Sequence, residues 1–332
     1  MNSISKVGVV VIGRNEGDRL KASLASLRDA RALIYVDSGS SDGSLKHALA
    51  TGVTATPLSS DRPFTAARAR NTGIIELMSL HNGIDYIQTV DGDCVISPEW
   101  VDIAAGFLQA NENVATVFGR LREQRPNDSV YNRLCDNEWN VPLGEAESCG
   151  GIAMHRVEAF LSVGGFNETL IAGEEPDLCL RLKARGWSVW RIDAEMGTHD
   201  AAILRFDQWW RRSVRAGFAY TEHLWRHRGG SLAAWKRQTA RFLFWGLIWP
   251  TFMVTAPILF FGMGWPLSGT MYLLIPYVMQ FLRIWHRGRA PQSPAIRLAA
   301  LAVIGKFAEA LGALKFGTTL LLNRRSKIIE YK

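Results

Sequence analysis

Cysteine is scarce and scattered in this chain. Cys94, Cys135, Cys149 and Cys179 form no C-x-x-C pair, which argues against a zinc site or a disulfide framework and fits a reducing compartment. The glycines never make G-x-G-x-x-G, and G-x-x-x-x-G-K-[ST] is absent, so neither a Rossmann dinucleotide site nor a P-loop is supported. The N-terminus lacks the long apolar core of a secretion signal. Its apolar run at residues 7–12 stops at Arg14 and Asn15 and reads as a buried strand. Charge is missing altogether from residues 242–282, whereas residues 1–240 hold nearly all the acidic groups. A polar front and an oily back average to a mean hydropathy near zero. The net charge is +7 with a pI near 9.4, and the basic residues crowd around the apolar tail. That placement favours a membrane surface over nucleic acid.

The front two-thirds alternates. Residues 7–12 are a β-branched run ending at Gly13, followed by Leu20, Leu24 and Leu27 at helical spacing. A second apolar run at 32–36 closes on D-S-G-S-S-D-G, residues 37–43, before a helix carrying Leu45, Ala48 and Leu49. Residues 53–56 predict a third strand, 65–79 a helix and 86–90 a fourth strand. Strands alternating with helices of this length predict a mostly parallel, three-layer α/β sheet. Ligands of such sheets sit beyond the carboxyl ends of the strands. Asn15 and Glu16, Asp37, and the pair Asp91 and Asp93 all fall at that edge.

Asp91-Gly92-Asp93 raises the sharpest question. An Asp-Gly pair marks a turn, and a helix is predicted to begin at Ser97-Pro98-Glu99. Two carboxylates one residue apart at a strand end are also a pair of oxygen ligands for a divalent cation. Gly92 between them admits the backbone close to a phosphate.

Four stretches in order, V-V-V-I-G-R-N-E, I-Y-V-D-S-G-S-S-D-G-S, A-R-N-T-G and D-G-D, resemble the nucleotide-sugar half of family 2 glycosyltransferases of the GT-A fold. The likeness continues in G-G-I-A-M (150–154), G-G-F-N-E (164–168) and G-E-E-P-D-L-C-L-R-L (173–182), and covers roughly residues 5–220. It implies a three-layer α/β/α domain, a nucleoside-diphosphate sugar donor, and Mn2+ or Mg2+ to let the diphosphate leave unprotonated. It assigns Asp37, with Asn15, Glu16 and Arg70, to the base and ribose. Turn capping is the plain alternative for Asp37, and a solvated helix arginine for Arg70. Asp93 becomes the direct metal ligand, with Asp91 facing the ribose or the metal. His199, in M-G-T-H-D after a predicted strand at 189–192, resembles the histidine that completes the metal shell. Lone histidines are commonly structural, and imidazole suits Mn2+ better than Mg2+.

For the acceptor proton the resemblance points to Glu174 and Glu175 ahead of D-L-x-x-R. Glu175 stands where the family usually has aspartate and is the expected general base of a single inverting displacement. Carboxylates at a helix N-terminus are also favoured by the macrodipole alone. Asp177 reads as structural. Gly150 and Gly151 fit a loop close to the donor sugar, or an ordinary turn. Gln208 and Arg211, on the acceptor side, partly match the Q-x-x-R-W segment of processive synthases. Arg212 stands where Trp belongs, which argues against processive polymerisation.

Residues 1–230 read as the catalytic domain, with a donor half at about 1–95 and an acceptor half at about 96–230. Residues 231–332 read as a membrane-associated region. Residues 242–264 and 266–285 have the length of two spans, with Pro250, Pro257, Pro266 and Pro276 as kinks that a bilayer tolerates. Lys236, Arg237 and Arg241 before them, and Arg283, Arg287, Arg289 and Arg297 after, put both ends and the catalytic domain in the cytoplasm. A buried helical pair in a soluble protein is the alternative. Residues 296–322, interrupted by Lys306, Glu309 and Lys315, predict an interfacial or re-entrant helix, followed by the basic end R-R-S-K-I-I-E-Y-K. The whole reads as an inverting transferase at the inner (cytoplasmic) membrane, acting on a polyprenyl-linked or other saccharide, with no nucleic-acid partner. Two rivals stay open. One is a non-catalytic membrane scaffold that kept the fold. The other is a nucleotidyltransferase, which would want a basic phosphate-binding loop where G-R-N-E-G-D supplies only Arg14.

Overall fold

Strand β1 (Val7–Gly13) sends alternate side chains to opposite layers, as the two-residue period of a strand requires. Val7, Val9 and Val11 join Leu20 and Leu24 of α1 (Asp18–Ser26) and Trp100 and Leu108 of α4 (Trp100–Ala110) in one core. Val10 and Ile12 join a second core with Ile74 and Leu77 of α3 (Ala66–Leu80), Phe160 of α6 (Val157–Ser162) and Leu178 of α7 (Glu174–Ala184). Both faces are covered, so the strand reads as an unbroken apolar run.

The computed structural model describes residues 6–227, 233–261, 267–287 and 295–322. They fall into two units. The first comprises residues 1–126 and 135–202, and the second residues 127–134 and 203–332.

The first unit holds a nine-stranded sheet in the order β3-β2-β1-β4-β8-β6-β9-β5, with β7 (Gly144–Glu145) paired to β9 off that path. β3 (Thr54–Pro57), β2 (Ala32–Asp37), β1 and β4 (Tyr86–Asp91) are parallel neighbours, linked through α1, α2 (Ser44–Ala50) and α3. Beyond β4 the sheet turns mixed. β8 (Ala153–Arg156) runs antiparallel to β4 and to β6 (Val114–Glu123), while β6 is parallel to β9 (Ser188–His199). The predicted helix at 97–99 starts slightly later, at Trp100, because a short strand, β5 (Cys94–Ile96), precedes it. Three residues carry no readable period, yet this strand matters. It pairs antiparallel with β9 and sets Cys94 opposite His199.

The second unit is helical: α8 (Phe206–Arg226), α9 (Ala233–Leu243), a π turn at Phe244–Ile248, α10 (Trp249–Phe261), a 3-10 turn at Leu267–Leu274, α11 (Ile275–Arg287) and α12 (Ala295–Leu321). The chain enters it once earlier, at the start of α5 (Val130–Glu138). Among the described residues one helix, Trp235–Leu259, is long and apolar enough to cross a membrane. The second expected span, 266–285, divides instead into the 3-10 turn and the 13-residue α11. Pro276 accounts for the break, since its ring and missing N–H cannot continue a helix from the preceding turn. The expected interfacial segment is one continuous helix, α12. Residues 262–266, Arg289 and the basic end at 324–332 lie outside the described residues.

Trp100 is fully buried, and its indole N–H donates to Gln88 Oε1 at 2.8 Å. Trp100→Ala is expected to cost about 3–5 kcal/mol, from the lost volume and the orphaned amide. Denaturant unfolding of the purified protein checks this.

Candidate active site

Arg70 sits at the centre of the site. It lies on α3 in the A-R-N-T-G stretch, only 2% exposed. Its Nη1 donates to Glu174 at 2.9 Å and Glu175 at 3.0 Å, and its Nη2 to Asp91 at 2.8 Å. The guanidinium also lies over the Phe166 ring, 5.5 Å from its centroid. Arg70 is therefore no solvated arginine. The three carboxylates hold it firmly cationic. Asn71 beside it fixes the G-G-F-N-E segment, donating to the Phe166 carbonyl at 2.8 Å and accepting from the Phe166 N–H at 3.0 Å. Sequence reasoning passed over Asn71, although it stands next to Arg70 in the same motif.

The acidic pair opens α7, after Gly173 in the left-handed region at φ +83°. Glu174 is buried and Glu175 nearly so. Burial and the neighbouring Glu174 push the Glu175 carboxyl up to about 7, against the pull of Arg70. Asp177 is buried and paired with Arg181 four residues on, at 2.7 Å, the structural part expected of it. Gly151 passes close over the cluster. A Cβ there would run into the Arg70 guanidinium and stand 2.8 Å from Asp91 Oδ2 and 3.1 Å from Glu175 Oε1. Gly150 meets no such crowding.

Asp93 takes a different partner from Asp91. It is buried, and its Oδ2 lies 3.1 Å from His199 Nε2. The β5–β9 pairing makes this contact, reinforced by the Asp200 N–H donating to the Asp93 carbonyl at 3.0 Å. Asp93, Cys94 and His199 each offer a ligand atom within 4.8 Å of the others. The Cys94 thiol donates to Asp93 Oδ1 at 3.4 Å. A carboxylate and an imidazole at this separation suit Mn2+, or with a harder preference Mg2+. Asp91 is turned to Arg70, outside this ligand set. Gly92 has a reason of its own: its N–H donates to the Ile12 carbonyl at 2.7 Å, and a Cβ would crowd that oxygen at 3.2 Å.

At the ends of β1 and β2 the expected donor residues lock two loops together. Asn15, at φ +56°, donates its N–H to Ser40 Oγ at 2.9 Å and accepts from the Ser41 N–H at 2.8 Å. Asp37 is 2% exposed and accepts from Tyr35 Oη at 2.8 Å, Gly39 N at 3.0 Å and Ser40 N at 2.8 Å. Three of its four lone-pair positions are thus filled from within, so Asp37 caps its own loop. Tyr35 shares its strand face by the two-residue period, a signal that could have been read. Glu16 pairs with Arg19 at 2.7 Å.

Gln208 and Arg211 are engaged locally, within the second unit. Gln208 Oε1 caps α8, accepting from the Leu204 and Arg205 N–H groups at 3.0 and 3.1 Å. Arg211 pairs with Asp207 at 2.5 Å. These bonds give both residues a part in starting α8.

Residues 8–153 match the model for glycosyl transferase family 2, and residues 133–201 match the model for the N-terminal domain of galactosyltransferase. Residues 8–153 thus carry a glycosyltransferase family 2 domain. Within the curated proteins, a pre-mycofactocin glycosyltransferase of Mycobacterium tuberculosis is 24% identical over 249 residues, 69% of this chain and 52% of that protein. The chain thus spans about half the length of this relative. Among solved structures, mannosyltransferase PcManGT from Pyrobaculum calidifontis, in complex with GDP-Man and Mn2+, is similar at a TM-score of 0.62 and 16% identity, over 93% of this chain and 87% of that one. The family domain and this likeness give the sheet and its helices the GT-A fold.

Removing the guanidinium has a signed consequence. Arg70→Met leaves buried carboxylates unpaired, at a cost of about 3–5 kcal/mol. Those carboxyls then bind protons more tightly in the folded than in the unfolded state, so the deficit shrinks as pH falls. Melting at pH 8 and pH 5.5 is expected to show the larger gap from wild type at pH 8. An equal gap would remove Arg70 as the counter-charge.

Proposed function

We propose that the protein transfers a sugar from a nucleoside-diphosphate sugar to an acceptor hydroxyl in one inverting displacement. The convergence at Gly151 carries this reading: Arg70, the donor-side Asp91 and Glu175 of the acceptor-side helix all face one point that only a glycine leaves open. Asp93 and His199 are the groups that would hold a divalent cation, with Cys94 orienting Asp93. Such a cation neutralises the departing diphosphate, so no general acid is needed. Asn15, Asp37 and the 38–41 loop shape the wall for the base and ribose, and Arg70 holds Asp91 in place beside it. Glu175 takes the acceptor proton. A carboxyl raised to about 7 is matched to that task near neutral pH.

A membrane-attached acceptor, such as a lipid-linked saccharide used at the cytoplasmic face, is the extension of this reading that the second unit supports. Helix Trp235–Leu259 has the length and apolarity of a span with few of its side chains buried. The α8 end presents Leu204, Phe206 and Arg205 to solvent, a mixture suited to headgroup level.

The test is release of nucleoside diphosphate by protein in detergent or lipid discs, over UDP-, GDP- and dTDP-sugars with Mn2+ or Mg2+. Metal-dependent release with one donor, abolished in Asp93→Asn, is the expected result. Glu175→Gln is expected to keep donor binding while turnover falls about 10²–10⁴-fold. No donor binding across the panel would sink the reading.

The pH profile is a separate check. Glu175 must be deprotonated to act, so turnover is expected to rise with pH through a limb near 7. Glu174→Gln removes the like charge beside it and is expected to move that limb to lower pH.

A further inference from the structure

We propose that Trp139 is a positioning residue for His199, holding the imidazole in the orientation a cation ligand needs; this rests on the metal-dependent reading above. The Trp139 indole stacks on the His199 ring, with centroids 4.7 Å apart and an interplanar angle of 27°. Its own placement is well anchored. The Trp139 N–H donates to the Cys135 carbonyl at 3.0 Å and so extends the last turn of α5. Asp136 in that turn accepts from Arg120 Nη2 at 2.9 Å and from the Glu123 N–H at 3.0 Å. Glu123 is the β6 residue registered opposite His199. Helix end, strand and imidazole are therefore tied to one place.

The second ring nitrogen explains why the stack matters. His199 Nε2 meets Asp93, and among the described residues Nδ1 makes no hydrogen bond. A ligating histidine is ordinarily oriented by a partner on its other nitrogen. Here an aromatic face takes over that duty, since stacked rings attract at this separation and resist rotation about χ2. The half-buried indole also keeps water off one side of the ring.

The experiment titrates Mn2+, with UDP or GDP present, into the full-length protein in detergent and follows the paramagnetic resonance of the free ion. Trp139→Leu is expected to weaken Mn2+ binding about tenfold or more, the scale of lost outer-shell support, and Trp139→Phe to stay within about threefold. In the His199→Ala background Trp139→Leu is expected to cost nothing further, because the indole acts only through that ring. Trp139→Met, bulky but without a ring, makes the same comparison where the leucine variant does not fold. Wild-type affinity in the leucine and methionine variants overturns the proposal and leaves Asp93 and His199 as the metal site. An equal loss in the His199→Ala background overturns it too, as plain structural damage. A wild-type protein that binds no Mn2+ with either nucleotide removes the metal reading and this inference with it.

Discussion

A guanidinium taken out of water needs counter-charge, and Arg70 has three carboxylates around it. They come from two places: Asp91 from the end of β4, Glu174 and Glu175 from the start of α7. One side chain thus ties a helix behind the sheet, a strand end and the start of α7 into a single object. Only arginine has the planar fork for this, because three carboxylates in different directions need several fixed N–H donors. The charges do not balance. One cation faces three anions, and burial together with the neighbouring Glu174 charge raises the Glu175 carboxyl toward neutrality. A site with surplus negative charge beside a strand edge is suited to a cation and a proton acceptor, and structural stability alone would be served better by apolar side chains.

The second constraint is register. Asp93 and His199 are 106 residues apart in the chain, and the pairing of β5 with β9 brings them together. That pairing depends on close approach: a Cβ at Gly197 would run into the Val95 carbonyl. The same economy appears at Gly119, where a Cβ would press at 2.6 Å on both the Ala194 carbonyl and the Trp100 ring. These glycines mark where the mixed half of the sheet is pulled tight, and they keep the candidate ligands in reach of each other.

Much of this was legible in the sequence. The parallel half of the sheet followed from apolar runs alternating with helical spacing, because each strand there is buried on both faces. The strand-end acids were legible as a set, since a doubly wound sheet gathers its loops at one edge. Their individual duties were not. Asp37 and Gln208 carry motif positions and also cap their own loop and helix, which only the hydrogen bonds show. β5 was too short to show a period, so the strand pairing that brings His199 to Asp93 could not be read, although the family resemblance named both residues. Trp139 left no pattern either, for a stack is made by tertiary placement and no spacing rule encodes it. The break inside the second expected span was not legible, because an uncharged run fixes composition while Pro276 decides continuity.

Packing in the second unit follows a different logic from the first. α12 meets α8 through glycines: a Cβ at Gly217 would strike the Glu309 backbone, and one at Gly312 would strike that of Val214. Gly246 approaches the Lys306 carbonyl in the same way. An ion pair in this stretch of α12, Lys306 with Glu309 at 2.6 Å, is largely enclosed. Meanwhile Val254, Ile258, Leu259 and Met279 face outward and are well exposed. A water-soluble bundle does the opposite, hiding its large apolar side chains and showing its charges. Small residues between helices, an enclosed charge pair and large apolar groups outside agree with the proposed membrane attachment, since hydrocarbon offers no hydrophobic drive to bring helices together and close backbone contact must do so instead.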